Sequence, residues 1–263
     1  MPKPQLSKYI YWLTIGFLFL PLVILALYSF NKSKSFSFTG FSFQWYQRLF
    51  SSNQIATDIW SAVGNSGLVA VVSAAIATLI GTLGAIGLNW YRFAYKKYLQ
   101  AVSFVPLVLP EIIIGISILI FFASVLKLEL GLVSILVAHI SFTLPFVILM
   151  VMARLSEFDY AIIEAARDLG ARERQILWRV ILPVSLPGIF SGFLVAMTLS
   201  LEDFVVTQFV KGPNFDTLPL YIFKMFKKGV PMEICALSVL MVLAIILLAI
   251  SVRNLSKYLV KSA

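Results

Sequence analysis

Residues 156–187 read SEFDYAIIEAARDLGARERQILWRVILPVSLP, Ser156 to Pro187, and form a long charged interruption in a very apolar chain. Within it Glu164, Ala165, Ala166 and Gly170 stand in the spacing E-A-A-x-x-x-G, and Leu182 and Pro183 close the stretch. Ser156 with Asp159 three residues on is a capping-type start, and Ile162, Ile163, Ala166 and Leu169 then recur at helical spacing. A short amphipathic helix is expected. Gly170 can leave a helix in a left-handed conformation at little steric cost, so the chain turns there and starts a second helix at about Arg172. Ala165 and Ala166 are small enough to let another surface approach the backbone. Glu164, Arg167, Asp168, Arg172, Glu173 and Arg174 supply both signs of charge, which suits a protein partner better than a lipid surface. A helix lying on the bilayer would need neither the alanine pair nor the glycine break. The stretch therefore reads as a docking loop.

Composition sets the environment of that loop. With 60% hydrophobic residues and only 13% charged, about half the charged share of a soluble domain, the chain cannot cover itself with a polar surface, and its mean hydropathy is +0.94. It reads as a membrane protein. The single cysteine, Cys235, excludes a disulfide framework and a cysteine-based metal site. The single histidine, His139, reads as a packed or lightly hydrogen-bonded helix residue and not as a ligand. The net charge of +9 does not indicate nucleic-acid binding, because Lys and Arg gather at the ends of apolar segments instead of along one face.

Six apolar segments are long enough to span: about 9–30, 62–90, 98–126, 131–152, 184–210 and 233–255. The expected fold is an all-α polytopic membrane helical bundle of six transmembrane helices, with residues 1–263 as a single transmembrane domain. The first segment is too long for a typical signal-peptide core and is read as retained. Lys32 to Ile59 forms a polar connection with a short helix near Trp45 to Phe50, and Lys211 to Pro231 a second, with an apolar and basic face on Leu220, Phe223, Phe226 and Lys227. Ala70, Ala74, Ala77, Gly81 and Ala85, and the pair Gly188 and Gly192, form small-residue stripes of the kind that pack helices closely in lipid.

Six spans put both termini on one side. That side carries Lys3, Lys8, Arg92, Lys96, Lys97, the arginines of the 156–183 loop, Arg253, Lys257 and Lys261, the larger share of the 21 basic residues. The positive-inside rule makes it cytoplasmic. The docking loop then faces the compartment that holds ATP.

No G-x-x-x-x-G-K-[ST] occurs in the chain, so no catalytic residue or cofactor is assigned to it, and if it moves a solute uphill the work is expected to come from a partner. At membrane depth the sequence offers acids and no Lys or Arg. If 98–126 is one helix, Glu111 lies about 20 Å along it, where a carboxylate costs on the order of 3 kcal/mol unless it faces a polar interior. Pro110 would leave the Pro106 carbonyl without its helical donor, beside that acid. Glu202 and Asp203, about 30 Å along the helix from Pro183, are expected toward the outer mouth. Glu111, Glu202 and Asp203 are thus candidates for a cation path. A pore acid neutralised by protonation is the alternative.

Glu164-Ala165-Ala166, Gly170 and Leu182-Pro183 resemble the signature by which permease subunits of type I ABC importers dock onto their ATPases; Val180 stands where isoleucine is usual. The run LSLEDFVVTQFVK, Leu199 to Lys211, and the sequence after it are similar to the second permease subunit of spermidine/putrescine importers. The resemblance implies the type I ABC importer permease fold and docking through Glu164, Ala165, Ala166, Arg167, Asp168, Gly170, Leu182 and Pro183. It also implies an inner-membrane assembly with a homologous permease, two ATPase copies and an extracytoplasmic binding protein, moving polyamines inward. The same machine with another solute (thiamine, a ferric complex, an anion), a cation channel or secondary transporter, and a non-transporting scaffold are the other readings.

Overall fold

The computed structural model describes residues 4–34, 37–91, 93–157, 159, 161–229 and 232–261. Lys3, Arg92, Phe158, Tyr160 and Pro231 lie outside the described residues, as do the side chains of Arg253, Lys257 and Lys261. The described chain is helical, with one isolated bridge between Asn31 and Phe41. In order the helices are α1 (Pro4–Ser29), α2 (Gln44–Leu49), α3 (Gln54–Trp90), α4 (Lys96–Val108), α5 (Glu111–Ile120), α6 (Leu132–Ser156), α7 (Ala161–Asp168), α8 (Glu173–Ile176), α9 (Leu182–Glu202), α10 (Val205–Val210), α11 (Leu218–Lys228) and α12 (Met232–Lys261). Wider π-turns extend α5 over Phe121–Leu126 and join α8 to α9 over Leu177–Ile181.

Among the described residues four helical stretches are long and apolar enough to cross a membrane: Leu6–Ser29, Gln54–Trp90, Leu132–Ser156 and Glu173–Glu202. The pair α4 and α5 supplies a fifth if it crosses as one, but it is bent by 108°. The last expected span falls on α12, whose apolar described segment is Met232–Leu247. Three expected boundaries change. The 98–126 span is two helices, because Pro110 has no N–H to donate and pushes Leu109 out of the helical region (ψ 136°). The 184–210 span starts earlier, at Glu173, and stops at Glu202, because Asp203 turns to extended backbone (ψ 126°). The 131–152 span runs on to Ser156, because Leu155 still has core to enter and is 2% exposed.

The chain forms two compact units. One comprises residues 1–60 and 222–263 and the other 61–221. In the first, α12 packs on α1 and α2. The Trp45 indole donates to the Asn31 carbonyl (2.5 Å), and the Asn31 side chain accepts from the Thr39 N–H (3.0 Å) and donates to the Ser37 carbonyl (2.9 Å).

In the second unit α6 against α9 is the principal contact. The small-residue stripes define it. A Cβ placed on Gly188 would lie 2.7 Å from the Arg154 Cβ and 3.0 Å from the Met150 carbonyl oxygen, and one on Gly192 would lie 3.2 Å from Val147. From the other side α3 brings Gly81, where a Cβ would meet the same Val147 at 2.7 Å. Ala74, Ala77 and Ala85 of that stripe are fully buried in the core with Val147, Val151 and Ala196. Gly188→Ala is therefore expected to destabilise this unit by about 1–3 kcal/mol through overpacking. Gly84→Ala, whose Cβ would meet only Ile148 at 3.9 Å, should hold or raise the melting temperature of the purified chain, because alanine is the better helix former by about 1 kcal/mol.

Candidate substrate cavity and docking turn

Two helix breaks build the cavity. At the first, Leu109 and Pro110 are extended and the Pro110 carbonyl accepts from the N–H groups of Ile113 (2.9 Å) and Ile114 (3.4 Å). Glu111 is thus the first residue of α5 and exposed, at the end of the helix where a carboxylate complements the dipole. This corrects the expectation of a mid-helix acid. Pro110 ends one helix and precedes another, so a vacated Pro106 carbonyl inside a continuous helix does not apply.

At the second break Glu202 is the exposed last residue of α9, and Asp203, 7% exposed, faces inward. The Asp203 carboxylate accepts from the first turn of α10: from the Val206 N–H (3.1 Å), the Thr207 N–H (2.8 Å) and the Thr207 hydroxyl (2.6 Å). Those donors have no partner within a new helix, so the side chain supplies one. The helix α10 packs on α5, with the Phe209 ring seated where Gly115 has no side chain.

The two breaks meet at a cavity of about 320 Å³ lined by Glu111, Glu202 and Asp203 together with Phe142, Phe146, Leu199, Phe204 and Val205. All three acids proposed from sequence are brought together there. The three phenylalanines are additions that periodicity alone could not supply, since Phe142 and Phe146 belong to α6 and Phe204 to the break. Among the described residues no Lys or Arg lines the cavity. Carboxylates with aromatic faces around them suit a cation with apolar portions.

Behind the cavity wall lies a polar chain that the sequence did not reveal. His139 is fully buried; its Nδ1 is 2.6 Å from the Ser200 hydroxyl, and its Nε2 is 2.9 Å from the Thr207 hydroxyl and 3.4 Å from Asp203. Ser200 continues to Ser73 of α3 (3.1 Å). Of the two readings of His139, packed or lightly hydrogen-bonded, the packing is seen, and both of its ring nitrogens are engaged in hydrogen bonds. The one local hint is that Asp203 and Thr207 stand four residues apart, a cap-like spacing.

The docking stretch forms a helix–turn–helix. Ser156 ends α6, its hydroxyl donating to the Ala153 carbonyl (2.8 Å), and Asp159 caps α7 instead by accepting from the Ala161 N–H (2.9 Å). The expected start at Ser156 is thereby moved. Gly170 adopts φ +78°, and the Ala171 N–H donates to the Ala166 carbonyl (3.0 Å) while the Gly170 N–H donates to that of Arg167 (2.8 Å), the two bonds of a Schellman turn. Ile163 and Ile176, each 1% exposed, pin α7 and α8 to the core around Leu155. Glu164, Ala165 and Asp168 remain exposed, Ala166 is half-buried, and Arg167 pairs with Glu173 across the turn (2.8 Å). Leu182 and Pro183 open α9 beyond the π-turn. Beside the turn a second cavity of about 320 Å³ is lined by Leu169, Gln175, Ile176 and Arg179 among others, and Leu169 is 89% exposed at its edge.

Residues 77–263 match the family described as binding-protein-dependent transport system inner membrane component. The chain is 41% identical over 228 residues to the spermidine/putrescine transport system permease protein PotC of Haemophilus influenzae, covering 86% of this chain and 87% of that protein. To PotC of Escherichia coli K12 it is 40% identical, covering 90% and 88%. To the putrescine transport system permease protein PotI of the same organism it is 37% identical, covering 89% and 85%. Among solved structures it is similar in fold to a bacterial ABC transporter involved in the import of the acidic polysaccharide alginate (TM-score 0.71, 16% identity, 95% and 94% covered). The inward-facing MetNI methionine ABC transporter is similar as well (TM-score 0.61, 20% identity, 76% and 96% covered). The chain belongs to the binding-protein-dependent transport system inner membrane component family, the permeases of type I ABC importers.

Proposed function

We propose that this chain is a membrane-spanning permease subunit of an ATP-driven importer that moves polyamines of the spermidine and putrescine type into the cytoplasm. The observation that carries the reading is the convergence of Glu111, Glu202 and Asp203 on one aromatic-walled cavity with no basic residue among its described lining, in a chain about two-fifths identical to polyamine permeases. A polyamine is a string of ammonium groups separated by short methylene runs. The exposed carboxylates of Glu111 and Glu202 take the charges, and the faces of Phe142, Phe146 and Phe204 take the methylenes and add cation–π attraction.

The remaining parts follow the family. The chain lies in the cytoplasmic (inner) membrane of a bacterium with six spans and both termini cytoplasmic. It pairs with a homologous permease, and an extracytoplasmic binding protein delivers the cargo. Two ATPase subunits hold ATP and Mg and grip the α7–α8 turn, where exposed Glu164, Ala165 and Asp168 and the Gly170 bend form the contact. Movement of that turn is passed as a rigid body through α6 and α9, and the cavity opens alternately to the two sides.

Two outcomes test this. In the reconstituted complex, Glu111→Gln and Glu202→Gln are each expected to lower labelled spermidine uptake efficiency by about 10- to 100-fold, the worth of a charge-assisted hydrogen bond. Wild-type uptake in both variants would remove the cargo assignment. Gly170→Ala forces a side chain into the left-handed region at a cost of about 1–2 kcal/mol, and should weaken co-purification of the ATPase while the chain still inserts. Full ATPase retention in that variant would refute docking at this turn.

A further inference from the structure

We infer that His139 and Asp203 act as a positioning pair: they hold the α9–α10 break in the conformation that presents Glu202 to the cavity, and Asp203 does not itself bind cargo. The inference deepens the importer reading and rests on it.

The hydrogen bonds at the break separate the roles of the acids. The Thr207 hydroxyl has one proton, and it is donated to Asp203 Oδ2 at 2.6 Å. Toward His139 that oxygen can therefore only accept, so Nε2, 2.9 Å away, carries a proton. Asp203 already accepts from the Val206 and Thr207 N–H groups. With its oxygens committed to α10 and only 7% of the residue exposed, Asp203 has little capacity left for an ammonium in the cavity. Glu111 and Glu202, both exposed, have it.

The pair also reaches the wall of the cavity. The His139 ring packs on the Phe142 ring at a centroid distance of 5.2 Å, and Phe142 lines the cavity. Through Nδ1 and Ser200, His139 grips the last turn of α9 two residues before Glu202. One imidazole on α6 thus ties the end of α9 to the start of α10 and leaves the intervening acid at the break. A buried polar chain with every member satisfied fixes one geometry, and an unpaired member destabilises it.

His139 is the one histidine of the chain, so labelling the full chain in nanodiscs with ¹⁵N-histidine gives a single imidazole. A solvent-protected Nε2–H, shifted by Thr207→Val, is expected. An Nε2–H that exchanges like that of free imidazole, or that ignores Thr207→Val, overturns the pair. In the reconstituted importer, His139→Gln places an amide N–H at the same reach and is expected to keep the KM for spermidine within about threefold. His139→Leu fills the space without a donor and is expected to raise KM about tenfold, the worth of a lost buried hydrogen bond, with the assembled transporter at wild-type amount. Wild-type KM in His139→Leu, or equal failure of both variants through lost assembly, overturns positioning. If the wild-type complex takes up no spermidine, the cargo reading fails while the imidazole signal still decides the pair.

Discussion

The contact between α6 and α9 is the constraint on which the rest of the second unit depends. Gly188 and Gly192 let the two helices approach until a single methyl group would collide with Arg154 or Val147. The Arg154 guanidinium adds a bond from Nε to the Val184 carbonyl (3.2 Å) beside Gly188. Toward one end of this pair Ile163, Ile176 and Leu155 seat the docking turn, and toward the other His139 and Ser200 join the helices by a hydrogen bond. Interfaces packed this closely move as bodies instead of deforming continuously.

Irregular backbone at membrane depth is tolerated where it lines a cavity, and both breaks in this chain do so. Pro110 starts one helix by removing a donor, and Asp203 starts the other by satisfying donors. The two devices are chemically opposite but give the same product, a carboxylate at a helix end beside a polar hollow. Glu111 begins a helix, so its charge and the dipole agree. Glu202 ends one, and its approach to the cavity depends on how the next helix is held.

The helix–turn–helix around Gly170 was legible almost residue by residue. Its signals are local: isoleucines at helical spacing, a glycine where φ turns positive, small residues where a surface approaches. Only its first boundary moved, from Ser156 to Asp159, because Leu155 is drawn into a core that lies elsewhere in the sequence. Glu111 was found as a candidate for the right chemical reason and given the wrong backbone. A proline followed by an acid reads equally well as a kink within one helix or as the seam between two, and the choice rests on what packs beneath it.

By itself the sequence determined the membrane class, the absence of a Walker-type glycine loop, the helix–turn–helix with its Gly170 bend and the candidate acids, because each is written in composition or within a few residues. Tertiary structure alone decided that Glu111, Glu202 and Asp203 share one cavity, which phenylalanines wall it, and that His139 is bonded through both nitrogens. Ser200 and Thr207 stand 61 and 68 residues from that histidine. Helical periodicity says which face is small or apolar but not which helix will meet it.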